Sequence, residues 1–157
     1  MTDEIGAAEE PKAAQLGVTS QYVRQIIFEN AAAMQAKNPE GKPNINVNVG
    51  VDAQPAGDDR YRVSLKIEVA ADTDMMKVFS IKLDYVGVFT LSNVPEKARQ
   101  AVLLIECPRL LFPFARRIVA DVTRDGGYPP LMLDPIDFAA LYRQRAAEAA
   151  GAQETVN

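Results

Sequence analysis

Two stretches in the first half of the chain alternate apolar and polar residues with a period of two, and little but a β-hairpin can use that pattern. In residues 44–52, Ile45, Val47, Val49 and Val51 are separated by Asn44, Asn46, Asn48, Gly50 and Asp52. In residues 60–69, Tyr61, Val63, Leu65, Ile67 and Val69 alternate with Arg60, Arg62, Ser64, Lys66 and Glu68. Successive side chains of a strand leave opposite faces, so each stretch has one face to bury and one to wet. The link between them, Gln54-Pro55-Ala56-Gly57-Asp58-Asp59, has the composition of a turn, which makes the pair antiparallel.

Two further strands join them. Residues 20–28, dense in β-branched and aromatic side chains, predict the first strand of the chain. Residues 75–90, after the turn Asp72-Thr73-Asp74, predict the fourth. Its Phe79, Ile81, Leu83, Tyr85 and Phe89 take one side. The other side carries Met76, Val78, Ser80, Lys82, Asp84, Val86 and Val88, a mixed set. Apolar residues on an outer sheet face, Val86 and Val88 above all, predict an interface. Between the first two strands, residues 31–37 suit a short helical turn, and Asn38-Pro39-Glu40-Gly41-Lys42-Pro43 is a loop by composition.

The last third is helical. Residues 95–106 carry an apolar stripe and are expected to stop at Cys107-Pro108, because a residue before proline avoids the helical region. A long helix then starts at Cys107 with prolines near its beginning and Gly126-Gly127 at its end. Its Leu111, Phe114, Ala115, Ile118, Val119 and Val122 recur at spacings of three and four, a stripe that needs a sheet to lie on. Tyr128-Pro129-Pro130 and Leu131-Met132-Leu133 form a stiff extended loop. Asp137 is placed to cap a final helix whose stripe is Phe138, Leu141 and Tyr142. Strands followed by helices give an α+β domain: a four-stranded antiparallel sheet with the C-terminal helices packed on one face. Residues 1–18 read as a disordered arm, 19–146 as the folded domain and 147–157 as a frayed tail.

Composition excludes several chemistries. The chain has no histidine, which removes the usual general base and the commonest metal ligand. Its one cysteine forbids an internal disulfide and reads as a small buried hydrophobe. The formal net charge of −4 offers no basic field for nucleic acid. No apolar run is long enough to span a membrane, and the acidic start lacks the features of a signal peptide, so a cytoplasmic protein without stable membrane insertion is expected. Paired acids at Asp58-Asp59 and at Asp72 and Asp74 belong to turns. Arg116-Arg117 and Arg143-Gln144-Arg145 read as charged helix faces. No catalytic constellation, cofactor or metal site is expected. A small enzyme using a carboxylate in an apolar cavity is the competing reading, with the missing histidine against it.

The run Cys107-Pro108-Arg109-Leu110-Leu111-Phe112-Pro113-Phe114-Ala115-Arg116, then Gly126, Tyr128-Pro129 and Leu131-Met132-Leu133-Asp134-Pro135-Ile136-Asp137-Phe138-Ala139-Ala140-Leu141-Tyr142, resembles a signature of the SecB protein-export chaperone family. Phe28-Glu29-Asn30 and Gly87-Val88-Phe89 match more weakly, and the resemblance spans roughly residues 20–145. It implies a non-enzymatic holdase. Such a protein assembles as a dimer of dimers, through sheets at one interface and long helices at the other. It binds unfolded preproteins and delivers them to the SecA ATPase. A client groove, lined by aromatic and flexible apolar side chains, is expected at Phe28, Leu131, Met132, Leu133, Phe138, Leu141 and Tyr142.

The resemblance also implies an acidic patch for the basic tail of SecA, and this chain departs from it. Glu29 matches one acid, but Gln25 and Lys82 stand where family members carry acids, and Ser80 where they carry an apolar residue. A lysine facing a basic partner costs affinity. A SecB-like chaperone for another client, such as the antitoxin of a toxin–antitoxin pair, is therefore the alternative.

Overall fold

A computed structural model describes residues 12–154. Four strands form one antiparallel sheet in the order β1-β4-β3-β2: β1 Gln15–Glu29, β2 Asn44–Pro55, β3 Arg60–Asp72 and β4 Lys77–Ser92. The expected hairpin is β2 and β3, which pair in unbroken register from Asn44 opposite Asp72 to Pro55 opposite Tyr61. Val63, Leu65, Ile67 and Val69 of β3 and Phe79, Ile81, Leu83, Tyr85 and Phe89 of β4 are buried on the face that carries the helices.

β1 departs from expectation at its start. It opens at Gln15, inside the segment read as an arm, and Gln15, Leu16, Gly17 and Val18 pair with Ser92, Leu91, Thr90 and Phe89. Leu16 packs on the core, which makes ordering these residues favourable. Residues 1–11 of the expected arm lie outside the described residues. Two register shifts, between Val18 and Ser20 and between Val23 and Gln25, each insert one residue into β1. A one-residue slip exchanges the faces of every following side chain. The second shift is what puts Phe28 on the core face and Gln25 and Glu29 on the outer face.

The expected helix stop at Cys107-Pro108 is not a stop. Helix α2 (Glu96–Ala101) runs through a π-helical turn (Val102–Glu106) directly into α3 (Cys107–Asp125). A proline inside a helix lacks a donor and crowds the carbonyl four residues back. Here the ladder widens first: the Cys107 N–H reaches the Val102 carbonyl, five residues back. That wider turn is the local device that lets the chain pass Pro108 without breaking.

Helix α3 presses on the sheet where β4 has no side chain. A Cβ on Gly87 would lie 2.7 Å from Leu111 Cδ2 and 2.6 Å from Phe89 Cε2. α3 ends as the pattern predicts. Gly127 takes the left-handed conformation (φ +93°), while the Gly127 and Tyr128 N–H groups close on the Arg124 and Thr123 carbonyls. Asp137 caps α4 (Phe138–Glu154) by accepting from the Ala140 N–H at 3.0 Å. α4 continues to Glu154, so residues 147–154 are helical where fraying was expected. A short helix, α1 (Ala31–Met34), starts the crossover from β1 to β2.

Candidate functional site

The extended loop after α3 is held by side chains at both of its first turns. Thr123, fully buried, donates its hydroxyl to the Val119 and Ala120 carbonyls, each at 3.0 Å, and accepts from the Leu131 N–H at 2.9 Å. Tyr128 lies against Phe79 (centroids 4.9 Å apart), and Phe79 against Phe28 (5.9 Å). The Tyr128 hydroxyl donates to Asn30 Oδ1 at 2.5 Å, and Asn30 Nδ2 donates to the Gly126 carbonyl at 2.9 Å. Burial raises the Tyr128 pKa, which keeps that hydroxyl protonated and donating. This aromatic and polar knot ties the end of β1, the crossover and the end of α3 together. Asn30, Thr123 and Gly126 carry it, and none of them shows in a hydrophobicity pattern.

The seven expected groove residues do not line one groove. Leu133 and Phe138, 4% and 1% exposed, belong to the core, with Phe138 edge-on to Phe112 at 6.1 Å. They offer no surface to a client, because both lie on the side of loop and helix turned to the sheet. Phe28 is half-buried in the knot, Leu131 packs on the core, and Met132 is 58% exposed. Leu141 and Tyr142 line a cavity of about 320 Å³ with Ala146 of α4, Leu104 of the π-turn and Val51 of β2. Val51 leads out of it along β2, whose Ile45 and Val47 lie on the same face and are exposed. Alternation marked that face for burial. What it could not tell is that β2 is the sheet edge, with its first half left uncovered.

The four residues expected to receive a basic partner do share a surface. β1 and β4 set Gln25 opposite Asp84, Ile27 opposite Lys82 and Glu29 opposite Ser80. All lie on the sheet face away from the helices. β3 adds Glu68 opposite Lys82 and Lys66 opposite Asp84, and Arg24 approaches Asp84 at 3.7 Å. Lys82 therefore stands beside a carboxylate rather than alone, and Glu68 and Asp84 are members that single-strand reading missed.

Of the two outer-face valines of β4, Val86 has no surface to offer the expected interface. Val86 is fully buried within the chain, and Val88 half-buried. β4 is a central strand, and Tyr22 and Ser64 flank Val86 on either side. Exposed apolar side chains also stand on the edge strand β1: Val18, Val23 and Ile26 on the core face, Tyr22 and Ile27 on the other. Leu110 and Phe114 of α3 are exposed as well, with Phe114 stacked on Tyr85 at 6.3 Å.

Reactive chemistry is sparse. Cys107 is fully buried, and desolvation, with the neighbouring Glu106 charge second, pushes its thiol up to about 12. Among the described residues no group of histidine, cysteine, aspartate or glutamate could hold a metal ion, and no helix is long and apolar enough to cross a membrane.

Comparison with known proteins agrees with this architecture. Residues 9–149 match the family model of SecB, the preprotein translocase subunit. The chain is 51% identical over 160 residues to the protein-export protein SecB of a Bradyrhizobium species, covering 98% of each. It is 48% identical over 146 residues to that of Azorhizobium caulinodans, covering 92% of this chain and 91% of the other. A solved SecB-like chaperone of Mycobacterium tuberculosis, in complex with an antitoxin peptide, shares the fold with a TM-score of 0.58 at 18% identity. That likeness covers 78% of this chain and 87% of the other.

Proposed function

The chain belongs to the SecB family of protein-export chaperones, and from that premise we propose that it holds unfolded precursor proteins on the inner face of β2 and in the cavity beside α4. The observation that carries this is the exposed apolar strip Ile45–Val47 on a sheet edge, running on through Val49 to the cavity wall at Val51. Burying such a half-exposed side chain is worth about 1 kcal/mol. Each client contact is thus weak, and many together hold a chain reversibly without regard to its sequence. Holding breaks no covalent bond, so the protein works without catalysis, in the cytoplasm where precursors await export. An antitoxin client is not favoured, since the relatives at about half identity are export proteins.

Two copies join along β1, and two such pairs through α3, as a dimer of dimers. Support comes from the apolar side chains on both faces of β1 and from Leu110 and Phe114. The client passes to SecA, which docks on the outer face around Gln25, Glu29, Ser80 and Lys82. Glu29, Glu68 and Asp84 face Arg24, Lys66 and Lys82 there, so the patch is balanced rather than acidic. Lys82→Glu is expected to tighten SecA binding at low salt several-fold.

Titration of a reduced and alkylated protein against wild type and Tyr142→Asp tests client holding. A charge at the cavity wall is expected to weaken binding about tenfold while the unfolding temperature stays put. Equal affinities would remove the α4 cavity from the client path.

A further inference from the structure

Beyond the cavity, the geometry points to Arg145 as a displaceable plug on the open edge of β2, which an extended client segment must move to add itself as a strand. The proposal rests on the client-holding reading above. Arg145 projects from α4 and donates Nη2–H to the Val49 carbonyl at 3.1 Å and Nη1–H to the Val51 carbonyl at 3.3 Å. Those carbonyls are two residues apart on β2, which among the described residues pairs with β3 alone; alternate residues of such a strand turn their carbonyls away from the partner, and Arg145 reaches both of these. Outward carbonyls at this spacing are what a further strand would bond with its own N–H groups. The guanidinium fork thus occupies, with two donors, the acceptors that a client backbone needs.

The surroundings fit that role better than a simple staple of α4 to the sheet. Both bonds are exposed to solvent, so they exchange for water or another donor at small cost. The same arginine lines the apolar cavity with Leu141, Tyr142 and Val51, so one side-chain rotation both frees the edge and widens the cavity mouth. A charged side chain is also a common way to blunt an edge strand against unwanted pairing. The occupant this selects is an extended apolar segment with free backbone N–H groups. A folded protein offers such groups only along an open edge strand, so the plug favours the unfolded state.

The test uses the full-length chain and a dye-labelled peptide of alternating valine and threonine. Against wild type, Arg145→Ala is expected to bind it about tenfold more tightly, and Arg145→Gln, which keeps one donor arm, about threefold. The same peptide N-methylated at alternate amides, on the edge that would face β2, is expected to gain nothing from either substitution. Unchanged or weaker binding by Arg145→Ala would overturn the proposal, and so would an equal gain for the N-methylated peptide. In both cases client holding itself would stand. Failure of every protein to bind either peptide would instead strike at client holding, and at this proposal with it.

Discussion

Gly126 is a glycine for want of room rather than for its backbone, and that difference can be measured. Its φ of −77° suits any residue, unlike Gly127. A Cβ there would lie 2.5 Å from Phe28 Cζ and 2.7 Å from Phe28 Cε1, with the Val122 carbonyl at 3.3 Å. The Phe28 ring can yield only by leaving Phe79 and the Tyr128 loop, the contacts that build the knot. Gly126→Ala is therefore an overpacking substitution expected to cost about 2 kcal/mol. Truncating the ring with Phe28→Ala removes the obstacle. In that background the methyl group enters vacated space, and the smaller unfolded-state entropy of alanine makes Gly126→Ala neutral to about 0.5 kcal/mol stabilising. The coupling between the two sites then comes to about 2 kcal/mol. Urea unfolding of the four proteins, at one protomer concentration because the proposed assembly would shift stability, reads it as a midpoint shift of about 1 M. Should Gly126→Ala cost the same with and without the Phe28 ring, the steric account of this glycine is wrong.

Thr123→Val keeps the shape but leaves the Leu131 N–H without its acceptor, at a cost of about 1–2 kcal/mol. Hydrogen exchange at Leu131 should accelerate, and Thr123→Ser should restore it. Cys107 predicts alkaline instability. Its thiol ionises near 9.0 when unfolded and near 12 when folded, so its contribution is complete below pH 9 and drains away as pH rises toward 12, at about 1.4 kcal/mol per unit. Tyr85 and Tyr128, also raised by burial, add a slope of the same sign. The difference between wild type and Cys107→Ala in unfolding free energy from pH 8 to 10.5 isolates the thiol, and a flat difference would contradict its burial. Leu110→Asp with Phe114→Asp should halve the assembly seen in sedimentation, since those side chains are exposed on α3.

What the sequence made legible follows from which strands pair in unbroken register and which carry bulges. β2 and β3 match without a register shift, so their period of two survives and their inner faces could be read directly. β1 carries two bulges, and each reverses the phase of the strand. No single-strand reading could then place Gln25 and Glu29 on one face with Lys82, or Phe28 on the other. The helix stop misplaced at Cys107 has a similar cause. Local chemistry at a proline argues for an end, but burial of Leu103, Cys107 and Leu111 against the sheet favours continuing, and a π-turn reconciles the two. For the groove, apolar spacing on α4 could not separate Phe138, which faces the core, from Leu141 and Tyr142, which face the cavity.

The two edges of the sheet suit the two proposed interfaces, one lasting and one passing. An edge strand left open invites whatever strand comes next, so each needs an answer. For β2 the answer is a single arginine making two solvent-exposed hydrogen bonds, a cover that yields to a competitor. Among the described residues no side chain does the same for β1, and its apolar residues project from both faces, where no cover from the helical layer alone could reach them all. A client could not serve there, since its absence would leave that surface wet for most of the molecule's life. The surface calls for a partner present at all times, and a second copy of the chain meets that condition. On this argument Tyr22→Asp with Ile27→Asp should disrupt assembly while leaving peptide affinity at β2 intact. If those changes abolished peptide binding as well, the division of labour between the edges would be refuted.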